Sequence, residues 1–307
     1  MTETARPLVT FALFAYNQEK YIREAVEGAF SQTYEPLEII LSDDCSSDRT
    51  YEIMQEMATA YDGPHEVRVR RSEVNRGLLG HINEVARDAR GAIVIMAAGD
   101  DVSLPERAAI LTSAFDDVPG LHAAFSDFAP IDSEATSGSG AVFSVGRQRI
   151  GLDEIVYNGG GVGKGATYAY RHECFTWPEP LDTALFSEDR LLPMRAAILG
   201  RVVYTDSKLV HYRELQTGMG RILSRERRIA VLSREHRKVL RHELNLARSD
   251  ELLKSWRYAF AISVFHIGYI IYRGKRAEGA AVAKLERRFA SLAHRLVTRL
   301  FFRRNAC

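Results

Sequence analysis

Two adjacent carboxylates, Asp100 and Asp101, follow an apolar run at residues 92–98 and a single Gly99. Charges so placed repel each other, and they coexist most readily when a cation bound through hard oxygen ligands neutralises them. The plainer alternative is that the pair opens a loop, or caps the helix that Pro105 and Glu106 begin. Three earlier strand-like segments also end in, or are followed by, polar clusters: Phe14-Ala15-Tyr16-Asn17, then Ser42-Asp43-Asp44-Cys45-Ser46-Ser47-Asp48, then Asn75-Arg76-Gly77. Any one of these is explicable as a turn, since Asn, Asp, Ser and Gly are turn formers. Four along one sheet edge describe a ligand cleft, because open α/β sheets bind ligands outside the carboxyl ends of their strands. Asp43 or Asp44 can accept hydrogen bonds from a base or ribose, Arg76 can pair with phosphate, and a divalent metal at Asp100 and Asp101 would bridge a diphosphate. Together they suit a nucleoside diphosphate held by its base at one end and by metal at the other. The first strand is followed by no Gly-x-Gly-x-x-Gly, and the chain has no P-loop, which argues against dinucleotide and P-loop nucleotide sites.

The elements that must position these groups alternate regularly. Residues 8–15 read as a strand, and Tyr21, Ile22, Ala25, Val26, Ala29 and Phe30 recur at helical spacing. A second strand at 37–41 precedes a helix capped by Asp48 and carrying Tyr51, Ile53, Met54 and Met57. Residues 67–71, with alternate arginines, suit an edge strand; 78–89 is a helix, 92–98 a strand buried on both faces, 105–115 a helix and 121–126 a strand. This order predicts an α/β fold with a largely parallel sheet and helices on both faces. Residues 136–140 and 158–165, rich in Gly and Ser, read as loops, the second just ahead of a strand at 166–171. Residues 202–205 and 209–212 read as two short closing strands, and from Met219 onward the chain is helical and Arg-rich.

The net charge of +1 conceals an asymmetry. Residues 1–200 carry 17 Lys and Arg against 31 Asp and Glu, while the remaining 107 carry 24 against 9. An acidic body with a basic tail is the wrong distribution for a nucleic-acid binder, whose basic surface belongs to the folded domain. It suits a tail that meets an anionic surface or acceptor. Cys45, Cys174 and Cys307 are odd in number and have no metal-ligand spacing, as in a reducing compartment. Met1-Thr2-Glu3-Thr4-Ala5-Arg6-Pro7 lacks the apolar stretch of a signal peptide, so a cytoplasmic location is expected.

The ordered set Tyr16-Asn17, Gln32-Thr33-Tyr34, Asp43-Asp44-Cys45-Ser46-Ser47-Asp48-Arg49-Thr50, Asn75-Arg76-Gly77 and Ala98-Gly99-Asp100-Asp101 resembles family 2 glycosyltransferases of the GT-A fold. The resemblance spans roughly residues 7–213. It implies a GT-A catalytic domain over 1–218, with a donor-binding half at about 7–130 and an acceptor half at about 131–218, followed by a basic helical extension over 219–307. It implies a nucleotide-diphosphate sugar, UDP- or dTDP-linked, bound by Phe14, Ala15, Tyr16, Asn17, Asp43, Asp44, Asn75, Arg76, Gly77, Asp100 and Arg213. It also implies a divalent metal, Mn2+ or Mg2+, at Asp100 and Asp101. The family form is Asp-x-Asp-Asp, and Ala98 stands where its first Asp would be. Ser187-Glu188-Asp189-Arg190 resembles the family's Glu-Asp motif, whose Asp is the general base of inverting transfer, which implies that role for Asp189. Taken alone, such a pair at a helix start would only complement the helix macrodipole. Tyr212-Arg213 resembles a pair that approaches the diphosphate; the His that often follows two residues later is Leu215 here, and His211 precedes the pair. His81 and His172 receive no role.

Residues 256–272 are apolar but interrupted by Arg257, Ser263 and His266, short for a bilayer span. Aromatic residues from Trp256 to Tyr272 and basic ones at Arg273, Lys275, Arg276 and beyond suit an interfacial helix at the inner face of the cell membrane. A helix packed on the catalytic domain or in a homodimer is the alternative. The expected function is inverting transfer to a glycan or lipid-linked acceptor in cell-surface polysaccharide assembly. A sugar-nucleotide nucleotidyltransferase is the rival enzyme class, but it carries a Gly-rich basic loop near its N-terminus, which Phe14-Ala15-Tyr16-Asn17 is not. A membrane-docked, non-catalytic nucleotide-sugar-binding protein is the third reading, and only Ala98 supports it.

Overall fold

In β1 (Val9–Ala15) every residue is buried, and its side chains alternate between two cores. Val9, Phe11, Leu13 and Ala15 face one; Ala12 and Phe14 face the other. This is the two-sided burial that a continuous apolar run implies. The computed structural model describes residues 6–131, 148–152, 155 and 162–214, together with 235, 238–239, 241–243 and 246. The remaining strands are β2 (Leu37–Asp43), β3 (Glu66–Arg71), β4 (Ile93–Ala98), β5 (Val102–Ser103), β6 (Leu121–Pro130), β7 (Gln148–Ile150), β8 (Tyr168–Arg171) and β9 (Arg201–Tyr212). They form one sheet in the order β3-β2-β1-β4-β8-β6-β9-β5, with β7 paired to β9. The strands β3, β2, β1, β4, β6 and β9 all run one way; only the short β5, β7 and β8 oppose them. The expected largely parallel sheet is therefore present, with its antiparallel members limited to these three short strands.

Helices α1 (Ile22–Phe30), α2 (Thr50–Thr59) and α4 (Arg107–Asp117) cover one face, while α3 (Gly77–Asp88), α5 (Glu173–Thr176) and α6 (Glu188–Leu199) cover the other. The segment 67–71 is the sheet edge, as its alternating arginines imply. Two readings need correction. Residues 202–205 and 209–212 are one strand, not two: the ladder with β6 jumps from Ser126–Thr205 to Asp127–Lys208, so Asp206 and Ser207 bulge out and break the apolar pattern without ending the strand. Helix α2 begins at Thr50, with Arg49 at the cap position; Asp48 lies one residue earlier and accepts the Thr50 N–H at 3.0 Å through Oδ1.

Residues 235, 238–239, 241–243 and 246 are helical, and Val239 is buried in the same core as α6. Glu243 makes a two-pronged pair with Arg195 of α6 at 3.0 and 2.9 Å, both side chains fully buried. Arg195 also donates to the carbonyls of Cys174 and Glu179. Replacing Glu243 by Gln leaves a buried guanidinium without a counter-charge, and is expected to cost about 3 kcal/mol. Urea unfolding monitored by circular dichroism measures this; an unchanged midpoint would reject it. The expected loop at 136–140, residues 158–161 of the second loop, Leu215, Cys307 and the stretch 256–272 with its basic flank lie outside the described residues. Among the described residues no helix is long and apolar enough to cross a membrane.

Candidate active site

The carboxyl ends of β1, β2 and β4 open onto a cleft of about 450 Å³. Phe14, Ala15, Tyr16 and Gln18 line it from the end of β1; Asp44 from the end of β2; Asn75, Gly77, Leu78 and His81 from the start of α3; Met96, Ala97 and Ala98 from β4; and Gly165, Ala166 and Glu188 from the second half of the chain. Gly77 has φ +69°, and its N–H bonds the Asn75 side chain at 2.9 Å, so the turn that admits the cleft requires the left-handed backbone that glycine accepts.

At one end of the cleft the structure separates the two carboxylates that the sequence left open. Asp43 is fully buried; one of its oxygens accepts the Ser46 N–H at 2.9 Å and lies 3.3 Å from the Arg71 guanidinium. It shapes the turn and does not line the cleft. Asp44 does line it, accepting the Arg76 N–H at 2.8 Å, and burial pushes its carboxyl up. The Arg76 guanidinium turns to Glu84 at 2.8 Å. Burial works against ionisation of Glu84, yet Arg70, Ser72 and Arg76 hold it down to about 2. Asn17, at φ 52°, bonds Ser46 and Ser47 and so ties the β1 end to the β2 end. Gln32 likewise joins α1 to the segment after Asp101, donating to the Gly28 and Leu104 carbonyls and accepting the Ala108 N–H.

Beside Ala98 the chain turns through Gly99, where a Cβ would stand 2.5 Å from Gln18 Oε1, into Asp100 and Asp101. Burial raises the Asp100 carboxyl; burial and then the charge of Asp100 push Asp101 up to about 7. One oxygen of Asp101 accepts the Arg213 N–H at 2.8 Å, while Oδ2 is buried with no hydrogen-bond partner. An acceptor-only oxygen sealed from water and unmatched by a donor fits a cation. Asp100 and Asp101 are therefore the residues that would hold a metal. Among the described residues no cluster of three His, Cys, Asp or Glu side chains completes such a site, because Ala98 offers no oxygen. The Arg213 guanidinium bonds the Asp100 carbonyl at 3.0 Å and Glu24 at 3.0 Å and covers the Tyr21 ring, so it clamps this turn and is not part of the cleft wall.

A buried cation lies beneath, at a position the sequence reading passed over. Arg107 donates to Ser103 Oγ, to the Met96 carbonyl at 2.6 Å and to the Ala166 carbonyl at 2.5 Å, joining the donor half to the acceptor half close to Asp101. Its signal was present: Arg107 shares the apolar stripe of α4 with Leu111, Ala114 and Phe115. His81, likewise unassigned, shares the buried face of α3 with Leu79, Ile82 and Val85. Gln18 carries no comparable signal.

Across the cleft, α6 begins with Glu188 and Asp189. Glu188 forms the wall, packed so closely on Gly165 that a Cβ there would occupy its carboxylate position. Burial, then the neighbouring Asp189, pushes Glu188 up to about 8; burial also raises Asp189, opposed by Arg190 and Lys164. Asp189 is not itself part of the cleft wall.

Among the described residues a nine-stranded α/β sheet, with acidic groups at the ends of β2 and β4 and at the start of α6, forms a GT-A-type fold. The S. aureus TarS structure in complex with UDP is similar at a TM-score of 0.58, with 18% identity, covering 86% of this chain and 80% of that one. The Pyrobaculum calidifontis mannosyltransferase PcManGT, in complex with GDP-Man and Mn2+, is similar at a TM-score of 0.57, with 19% identity, covering 98% of this chain and 89% of that one. Residues 10–127 match the model of Glycosyl transferase family 2. The putative glycosyltransferase EpsE of Bacillus subtilis is 32% identical over 101 residues, 33% of this chain and 36% of that protein. The chain spans between 25% and 36% of the length of the first curated relatives it matches.

Proposed function

We propose that the chain is an inverting glycosyltransferase that moves a sugar from a UDP- or dTDP-linked donor to a hydroxyl of a glycan or lipid-linked acceptor, in cell-surface polysaccharide assembly. One observation carries this reading: a single cleft runs from Asp44, past Ala98 and the adjoining Asp100–Asp101 turn, to Glu188 at the start of α6. The likeness to TarS, solved with UDP, and to PcManGT, solved with GDP-Man and Mn2+, supports a nucleotide-sugar donor and a metal.

In this mechanism Asp44 takes hydrogen bonds from the base, while Tyr16 and Leu78 flank the mouth. A cation held by Asp100 and Asp101 would neutralise charge developing on the departing diphosphate. Arg107 and Arg213 keep that turn in place from below and behind. Asp189 takes the acceptor's proton as its oxygen attacks the anomeric carbon from the face opposite the leaving group, which inverts the configuration. Burial of Asp189 raises its basicity, against the pull of Arg190 and Lys164. A screen of UDP-, dTDP- and GDP-sugars for donor hydrolysis tests the assignment. Turnover of one donor, abolished by Asp189→Asn, is the expected result; no turnover of any donor in the presence of Mn2+ would sink it.

The basic, aromatic residues 256–307 are proposed to bring the enzyme to an anionic membrane surface from the cytoplasmic side. Full-length protein should sediment with vesicles of anionic phospholipid. Replacing Arg287, Arg288, Arg295 and Arg299 by Gln should reduce the pelleted fraction several-fold, at about 1 kcal/mol per charge removed. Equal pelleting of the two would instead favour a helix packed against protein.

A further inference from the structure

His81 is buried, lies edge-on to the Phe14 ring at 5.2 Å between centroids, and forms part of the cleft wall. Its Nε2 stands 2.5 Å from Ser42 Oγ, and that oxygen also accepts a hydrogen bond from Arg70 at 2.8 Å. Ser42 is fully buried, so its own hydroxyl proton has one acceptor within reach, Nε2 of His81. Nε2 must then be the bare nitrogen, and the ring proton sits on Nδ1. Burial, reinforced by the Arg70 charge, pulls the imidazole down to about 4, so the ring is neutral at physiological pH. Among the described residues Nδ1 has no hydrogen-bond partner, and it is not among the sealed polar atoms. The donor is left for whatever enters the cleft.

Asp44 follows Ser42 by two residues and offers a carboxylate, an acceptor, to the same cleft. A fixed donor and a fixed acceptor therefore stand along one wall. We propose that His81 Nδ1–H and the Asp44 carboxylate together read the nucleobase edge, selecting bases with a ring N–H beside a carbonyl (uracil, thymine or guanine). Cytosine and adenine present a ring-nitrogen acceptor beside an amino donor, and meet Asp44 and His81 with like against like. This rests on the reading of the cleft as a nucleoside diphosphate site. Ser42 and Arg70 act as positioning residues, because they fix the tautomer and not the contact.

Calorimetric titration of the full chain with UDP, GDP, CDP and ADP in the presence of Mn2+ tests the proposal, since UDP and CDP differ only in the base. Wild-type protein should bind UDP or GDP about 10- to 100-fold more tightly than CDP and ADP. His81→Phe should collapse the UDP-to-CDP ratio to within about twofold, chiefly by weakening UDP. Ser42→Ala, a smaller change, frees the ring to present a lone pair at Nδ1, and should narrow the ratio even if His81→Phe does not fold. His81→Gln, which retains an N–H donor, should restore part of the discrimination. An undiminished UDP-to-CDP ratio in His81→Phe, or in Ser42→Ala where the first variant does not fold, overturns the role of His81 and leaves the cleft assignment standing. Failure of the wild type to bind any of the four nucleotides overturns the cleft assignment itself.

Discussion

Replacing Asp189 by Asn should cut sugar transfer by about 10²- to 10⁴-fold while leaving nucleoside diphosphate affinity within about twofold, because it removes a proton acceptor and not a donor-site contact. Glu188 and Asp189 sit together at the start of α6; burial, then the Asp189 charge, raises Glu188 to about 8, while burial lifts Asp189 against the pull of Arg190 and Lys164. They titrate as a pair. The base acts only when ionised, so the transfer rate should still be climbing with pH above the ordinary carboxylate range near 4, because burial holds Asp189 up. Glu188→Gln removes the neighbouring charge. Asp189 stays raised by its own burial, so the rising limb should hold its place with a modest loss of rate. Initial rates from pH 5 to 9 for the wild type and both variants decide the roles. If Glu188→Gln abolishes transfer while Asp189→Asn only shifts the limb, the base is Glu188, the member of the pair that lines the cleft.

Asp101→Asn should weaken nucleoside diphosphate binding in Mn2+ by about 10³-fold, the several kcal/mol that a bound cation contributes, and leave the metal-free affinity unchanged. The separation is sharp because the substitution keeps the Oδ1 that receives the Arg213 N–H at 2.8 Å and alters the buried, unpartnered Oδ2. It also removes the repulsion from Asp100, so thermal unfolding of the metal-free variant should shift by no more than a few degrees. Because Ala98 supplies no third carboxylate, this site leans on two side chains, and either loss should be felt in full. Manganese titration followed by electron paramagnetic resonance measures the effect; equal affinity in wild type and variant would remove Asp101 from the metal site.

Strands β1, β2 and β4 of the donor half were legible because each is an apolar run buried on both faces, and β3 because its alternate arginines mark an edge; the polar ends of these strands marked the cleft edge. The divided reading of β9 failed at Asp206 and Ser207, where a bulge looks like a strand end in sequence. Asp43 and Asp44 were not separable, since alternation does not say which way a side chain turns after the last ladder residue. Arg213 reads as a phosphate ligand until the structure shows its guanidinium on Glu24, 189 residues away. The pairing of Arg195 with Glu243 across 48 residues was equally invisible. His81 was hidden differently: it sits on an apolar helical stripe, and only Ser42 on the adjoining strand turns it from a core residue into a donor facing the cleft.

The account is tested most directly by titrating the full-length protein with UDP, dTDP and GDP, with and without Mn2+, beside Asp101→Asn and Asp189→Asn. It predicts binding of at least one of these nucleotides that is strengthened by Mn2+, falls to the metal-free level in Asp101→Asn whether or not Mn2+ is present, and is retained in Asp189→Asn. Absence of binding at millimolar nucleotide, or binding indifferent to both Mn2+ and Asp101, would contradict it.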